Sequence, residues 1–314
     1  VPLRPDRPTP VDPALPLDFT ARYGDGVGHG LSLGGGGLFF VAWQVAYLHR
    51  LAAEGLRVDG AERVVGTSAG SVVAAALVGG GLTRVQRELS VLARLPALVA
   101  ALAPSSDLQP SQQRALDLFL RAGDAEASTI RLIGHASLVA AGPSPAAMRR
   151  NVMVLTGRRR WPSAALHISC VDAYSGERCI VTRETGVSVA AAAAASSAVP
   201  GIFPPQPIGD RRCMDGGVSG TGLHLDVLAG ARRSLVLSLS DGRDFTEGLM
   251  TIAPGGIEAE IEQLAASGTD VELRFPESIH PDELMSPAAV PKALAMGARQ
   301  AGADHDRLRS FWAR

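Results

Sequence analysis

Short apolar runs closed off by glycine, proline or polar residues recur along the chain at 31–33, 63–65, 166–172, 177–182, 212–214, 234–240 and 271–275. Each has the length and composition of a β-strand. Between them the period changes. Val41, Val45 and Leu48 stand at i, i+4 and i+7 after the first run, and an Ala-rich stretch, 71–78, follows the second. Strands alternating with helices predict a three-layer α/β/α domain around a mainly parallel central sheet. One stretch, about 82–160, carries no strand signal. It reads as several helices interrupted by Pro96, Pro104, Pro110, Pro143 and Pro145. Leu89, Leu92, Leu95, Leu98, Val99 and Leu102 give it an apolar face at helical spacing. That face either packs on the domain core or belongs to a helical cap over a site. The longest apolar runs, 69–82 and 186–199, are too short to span a membrane and read as helices packed on a sheet.

Length sets the scale: 314 residues can bury a sizeable core, and no composition shift divides them. Residues 1–28 are set apart as a Pro-rich arm, polar to about Phe19 and expected to be disordered or loosely docked. Residues 29–314 read as one domain. A net charge of −1 leaves no footprint for nucleic acid. Cys170, Cys179 and Cys213 are too few and too scattered along the chain for a disulfide framework or a zinc site. They are expected to be reduced, buried thiols, with Cys213 facing the core, and no metal or cofactor is called for. With no secretory signal in the sequence, the expected compartment is the cytoplasm. Arg149, Arg150, Arg158, Arg159, Arg160 and Trp161 are either a solvated basic turn or a contact for an anionic bilayer surface.

Three segments carry candidate chemistry. Gly66-Thr67-Ser68-Ala69-Gly70 lies between a strand pattern and a helix pattern. A serine on such a turn is held in strained geometry with its hydroxyl out of the sheet, and flanking glycines keep side chains off the neighbouring strand and helix. Small residues of this kind also occur in ordinary tight turns. Gly34-Gly35-Gly36-Gly37 follows the strand at 31–33. Consecutive glycines let backbone N–H groups approach a phosphate or the oxyanion of acyl transfer. A dinucleotide fingerprint fails, because Phe40 stands where its last glycine belongs and no acidic residue follows a second strand about 20 residues on. A P-loop fails for want of Gly-Lys-Ser/Thr. The third segment runs from Ala194 through Pro200-Gly201-Ile202-Phe203-Pro204-Pro205 to Cys213-Met214-Asp215-Gly216-Gly217. Taken alone, its Asp-Gly-Gly is a turn signal.

In this order the segments resemble the patatin-like phospholipase family over roughly residues 30–300, and the run 254–260 is similar to bacterial members. The resemblance implies a serine lipid acyl hydrolase with Ser68 as nucleophile, Asp215 as its partner in a Ser–Asp dyad, and Gly66 and Gly70 framing the elbow. The N–H groups of Gly35, Gly36 and Gly37 would form the oxyanion hole. It implies a lipid or other ester substrate, and transient contact with a membrane surface goes with the bilayer reading of the basic run ending at Trp161. The family's glycine loop commonly ends in Arg or Lys then Gly, where this chain has Phe39 and Phe40. A more apolar entrance is therefore expected. An aspartate at its reference pKa of about 3.9 is a weak base for a serine hydroxyl, so the dyad requires burial to raise it.

Two rivals differ in kind. An α/β-hydrolase triad would need a late histidine: His224, His280 or His305, with Asp241 available before His280. A non-catalytic lipid-binding relative would keep the fold without the reaction, and the aromatic pair in the glycine loop is what favours it.

Overall fold

The computed structural model describes residues 11–94, 108–157, 160–242 and 256–313. Its centre is a mixed, mostly parallel sheet flanked by helices, the expected α/β architecture. In chain order the strands are β1 (His29–Leu33), β2 (Arg63–Gly66), β3 (Leu166–Asp172), β4 (Arg178–Val181), β5 (Gln206–Ile208), β6 (Arg211–Asp215), β7 (Arg233–Leu237) and β8 (Asp270–Arg274). They lie in the order β5-β6-β3-β2-β1-β7-β8, with β4 paired to β3. The pairs from β3 through β8 along that order are parallel, whereas β4, β5 and β6 pair antiparallel. The edges are blunted. β5 carries Pro207, and β8 presents Asp270, Glu272 and Arg274.

Alternation along the central strands builds the layers. Val64, Leu235 and Leu237 enter one hydrophobic core, while Val65 and Val236 enter another on the opposite face. The larger core is capped by α1 (Gly37–Ala53), α2 (Ala69–Val78) and the C-terminal helix Val290–Ala313. α1 buries Phe39, Phe40, Trp43 and Tyr47 completely. Each such side chain contributes about 1.5–3 kcal/mol of burial. Trp43 Nε1 donates to Gln300 Oε1 at 2.7 Å and Tyr47 Oη to Asp304 Oδ2 at 2.6 Å, which fixes the C-terminal helix against α1.

The stretch without strand signals is helical where described: Leu82–Leu92, Pro110–Leu120, Ala127–Val139 and Pro145–Thr156. Leu89 is buried in the main core. Leu95, Leu98, Val99 and Leu102 lie outside the described residues, as do Arg158 and Arg159. Phe119, Ile130 and Ile133 pack with Val171, Met214 and Val218, so two of these helices sit over the β3–β6 end of the sheet. Trp161 is half-buried against the core rather than displayed to solvent.

Three findings depart from the sequence-based expectations. Residues 11–28 are firmly docked: Leu15 N–H donates to Arg178 O at 3.0 Å, Ile180 N–H to Pro13 O at 2.8 Å, and Asp12 pairs with Arg211 at 3.1 Å. The prolines remove donors but leave carbonyls, which is enough to dress the free edge of β4. Phe39 and Phe40 do not make an exposed entrance. They point inward from the first turn of α1, with Phe40 stacked on Trp43 at 5.4 Å. The cysteines are scattered only along the chain. Cys170 pairs with Cys179 across β3 and β4, Cys213 lies on β6 beyond, and the three sulfurs fall within 4.8 Å of one another.

Candidate active site

Register alone brings the glycine loop beside the serine turn. Leu33 is the partner of Gly66 in parallel neighbours β1 and β2, so the chain leaves both strands at the same level. Thr67 N–H then donates to Leu33 O at 3.0 Å, and Gly34 N–H to Leu237 O at 2.9 Å. Ser68 follows β2 and caps α2, with φ 50° and ψ −120°. A non-glycine residue at positive φ is strained by about 1–3 kcal/mol and persists only where its surroundings enforce it. Here they do. Ser71 Oγ donates to Ser68 O at 2.6 Å, and Ser68 N–H donates to Ser196 Oγ at 2.8 Å. Gly66 and Gly70 frame the turn, and a Cβ on Gly70 would overlap the Leu33 carbonyl oxygen. Ser68 is 5% exposed.

Gly35 lies directly against the serine: a Cβ there would sit 3.2 Å from Ser68 Cβ. Gly36 caps α1 and Gly37 is its first residue. Among the described residues, the N–H groups of Gly35, Gly36 and Gly37 donate to no backbone carbonyl. These unpaired donors at a helix N-terminus suit an anion. Gln44 steadies the loop from α1, its Nε2 donating to Gly34 O at 3.0 Å, and Phe39 N–H is taken by Leu284 O at 3.0 Å.

Asp215 reaches the same place along β3. β2 pairs with Leu166, His167 and Ile168 of β3, and β6 pairs with Cys170, Val171 and Asp172. The ends of β2 and β6 therefore meet around Ser169, whose hydroxyl bonds Thr67 Oγ1 at 2.8 Å. The glycine after Asp215 is required by that closeness, since a Cβ on Gly216 would overlap Ser169 Oγ. The helix Val189–Ser196 ties both sides together: Ser196 holds Ser68, and Asp215 N–H donates to Ala198 O at 3.0 Å just beyond.

The carboxyl is completely buried. Desolvation pushes the Asp215 pKa from 3.8 to about 7, while the Gly217 N–H on Oδ1 (2.9 Å) and the adjacent Ser68 hydroxyl each pull it back. Asp215 Oδ2 is buried and, among the described residues, has no hydrogen-bond partner. A carboxylate poised near neutrality with one oxygen unsatisfied can take and return a proton.

Among the described residues no histidine is hydrogen-bonded to Ser68 or Asp215. His224 is buried with Nδ1 3.4 Å from Arg178 Nη1, and burial, then the Arg178 charge, holds it well below its ordinary pKa. Arg178 itself is paired with Asp226 at 2.6 Å. His280 is exposed and accepts from Asp282 N–H, and His305 Nε2 faces Glu54 O. The triad has no histidine in place.

Sequence reading singled out neither Ser169 nor Gln44 nor a role for Ser196. Ser196 was visible in the small-residue block before the prolines, but nothing in the spacing showed that its hydroxyl meets Ser68.

Residues 31–225 match the family model described as patatin-like phospholipase. No curated protein matches the chain. Among solved structures, the chain is similar to the type III effector protein ExoU, at 17% identity and TM-score 0.33 over 88% of this chain and 53% of that one. It is also similar to VipD from Legionella pneumophila, at 14% identity and TM-score 0.39 over 89% of this chain and 66% of that one. The chain thus spans between half and two-thirds of the length of these structural relatives.

Proposed function

Because the chain belongs to the patatin-like phospholipase family, we propose that it is a serine lipid acyl hydrolase that cleaves carboxylic esters through an acyl-enzyme and a Ser68–Asp215 dyad. The observation that carries the reading is the completely buried Asp215 carboxyl, raised to about 7 by desolvation and adjoined by the Ser68 hydroxyl. Asp215 in its charged form accepts the Ser68 proton as Oγ attacks the ester carbonyl. The carbonyl oxygen becomes an oxyanion against the N–H groups of Gly35, Gly36 and Gly37, where one such donor is typically worth about 3 kcal/mol. The tetrahedral intermediate collapses, and Asp215 returns its proton to the departing alcohol. Water, deprotonated by Asp215, then attacks the acyl carbonyl and releases the acid with Ser68 restored.

Residues 29–314 act as the catalytic domain in this reading, with the helices of about 82–160 as its cap. The substrate is a lipid or other carboxylic ester met at, or delivered from, a membrane surface. None of the described helices is long and apolar enough to cross a membrane.

The test is hydrolysis of p-nitrophenyl esters over a range of acyl chain lengths and pH. Ser68→Ala and Asp215→Asn should each lower kcat by about 10³-fold or more. Wild-type kcat should fall tenfold per unit as the pH drops below the Asp215 pKa of about 7. Full activity in Asp215→Asn, or a rate independent of pH between 5 and 8, would contradict the dyad.

A further inference from the structure

We propose that Cys170, Cys179 and Cys213 form a binding site for a thiophilic divalent cation of the Zn(II) type, buried in the sheet behind Asp215. The proposal does not depend on the catalytic reading of Ser68.

The three thiols come from three adjacent strands and one face. Cys170 and Cys179 are register partners across β3 and β4, and Cys213 pairs with Asp172, which shares a face with Cys170 by the period of two. Their sulfurs lie within 4.8 Å of one another. Metal–sulfur bonds of about 2.3 Å place the sulfurs of one coordination sphere roughly 3.7–4.0 Å apart, so the side chains need only small rotations to share an ion. Three soft donors, joined by no carboxylate or imidazole among the described residues, select a thiophilic ion over Mg(II) or Ca(II). The number three also matters: a disulfide would use two sulfurs and strand the third.

Charge supports a divalent ion. Each ligating thiol releases its proton to solvent, so three thiolates and one M(II) leave a net charge of −1, and a monovalent ion would leave −2. Arg211 stands nearby, 15% exposed and ion-paired with Asp12, Asp172 and Glu177, and its charge acts on Cys179. All three cysteines are buried in the main core, where Val189, Ala192 and Ala193 of the Ala-rich helix also lie. Cys213 precedes Asp215 by two residues and Cys170 is the register partner of Asp215, so an ion there would brace the strand that presents the carboxyl.

The experiment titrates the fully reduced, folded chain with Zn(II) against a chromophoric chelator, under anaerobic conditions, and repeats it with Cd(II). The expected result is one ion per chain, a thiolate-to-Cd(II) charge-transfer band, and a higher Tm in the loaded form. Cys179→Ala and Cys213→Ala should each weaken binding by about 100-fold and reduce the band, with the fold checked by circular dichroism. Should either variant fail to fold, the wild-type Cd(II) band still reports thiolate ligation directly. Binding only after denaturation, or binding unchanged in both variants, would overturn the proposal and leave the thiols as core packing.

Discussion

At the scale of single residues, Asp215 carries a cost that is visible in its burial. Below about pH 4 the carboxyl is protonated in folded and unfolded chains alike, and it makes no difference to stability. Above that the unfolded carboxyl ionises while the folded one keeps its proton until about pH 7, so the folded state loses stability across this window. A rise from 3.8 to about 7 corresponds to roughly 4 kcal/mol. Asp215→Asn should therefore be more stable than wild type by that order at pH 8 and nearly equal to it near pH 4, as measured by denaturant unfolding. Ser196 offers a second residue-scale prediction. Its hydroxyl accepts the buried Ser68 N–H, and removing it leaves that donor unpaired at a cost of about 1–3 kcal/mol. Ser196→Ala should keep the fold, lower Tm, and reduce kcat more than it changes KM, because the strained serine loses its anchor.

Among the elements, the first turn of α1 separates two functions in adjacent residues. The glycines at its start leave N–H groups unpaired, whereas Phe39 and Phe40 turn inward and are core. Phe40→Leu should cost about 1–2 kcal/mol of stability through lost packing against Trp43 and leave the acyl chain-length profile unchanged. A shifted profile in a variant of normal stability would mean that Phe40 lines the acyl pocket after all. Strand and helix positions were largely legible in the sequence. The run at 166–172 coincides with β3, and most other runs end within two residues of the observed strands. β5 was missed because Pro204, Pro205 and Pro207 suppress the usual strand signal, although an edge strand tolerates a proline whose missing donor faces outward.

On the scale of the whole molecule, the candidate site was legible because its motifs are local. A serine between strand and helix, a glycine run and an Asp-Gly-Gly each announce a backbone geometry. What brings them together is register, and register is non-local. Nothing in the spacing of Cys170, Cys179 and Cys213 says that antiparallel pairing will stack them, and nothing in a proline-rich arm says that it will dress β4. The helices over the β3–β6 end of the sheet belong to the same class of long-range packing.

The most direct measurement is peptide-resolved mass spectrometry after rapid quenching of the enzyme with a p-nitrophenyl ester. Ser68 as nucleophile predicts one acyl group per chain, on the peptide holding Gly66-Thr67-Ser68-Ala69-Gly70. The adduct should be absent in Ser68→Ala. An acyl group on any other residue, or turnover that persists in Ser68→Ala, would contradict it.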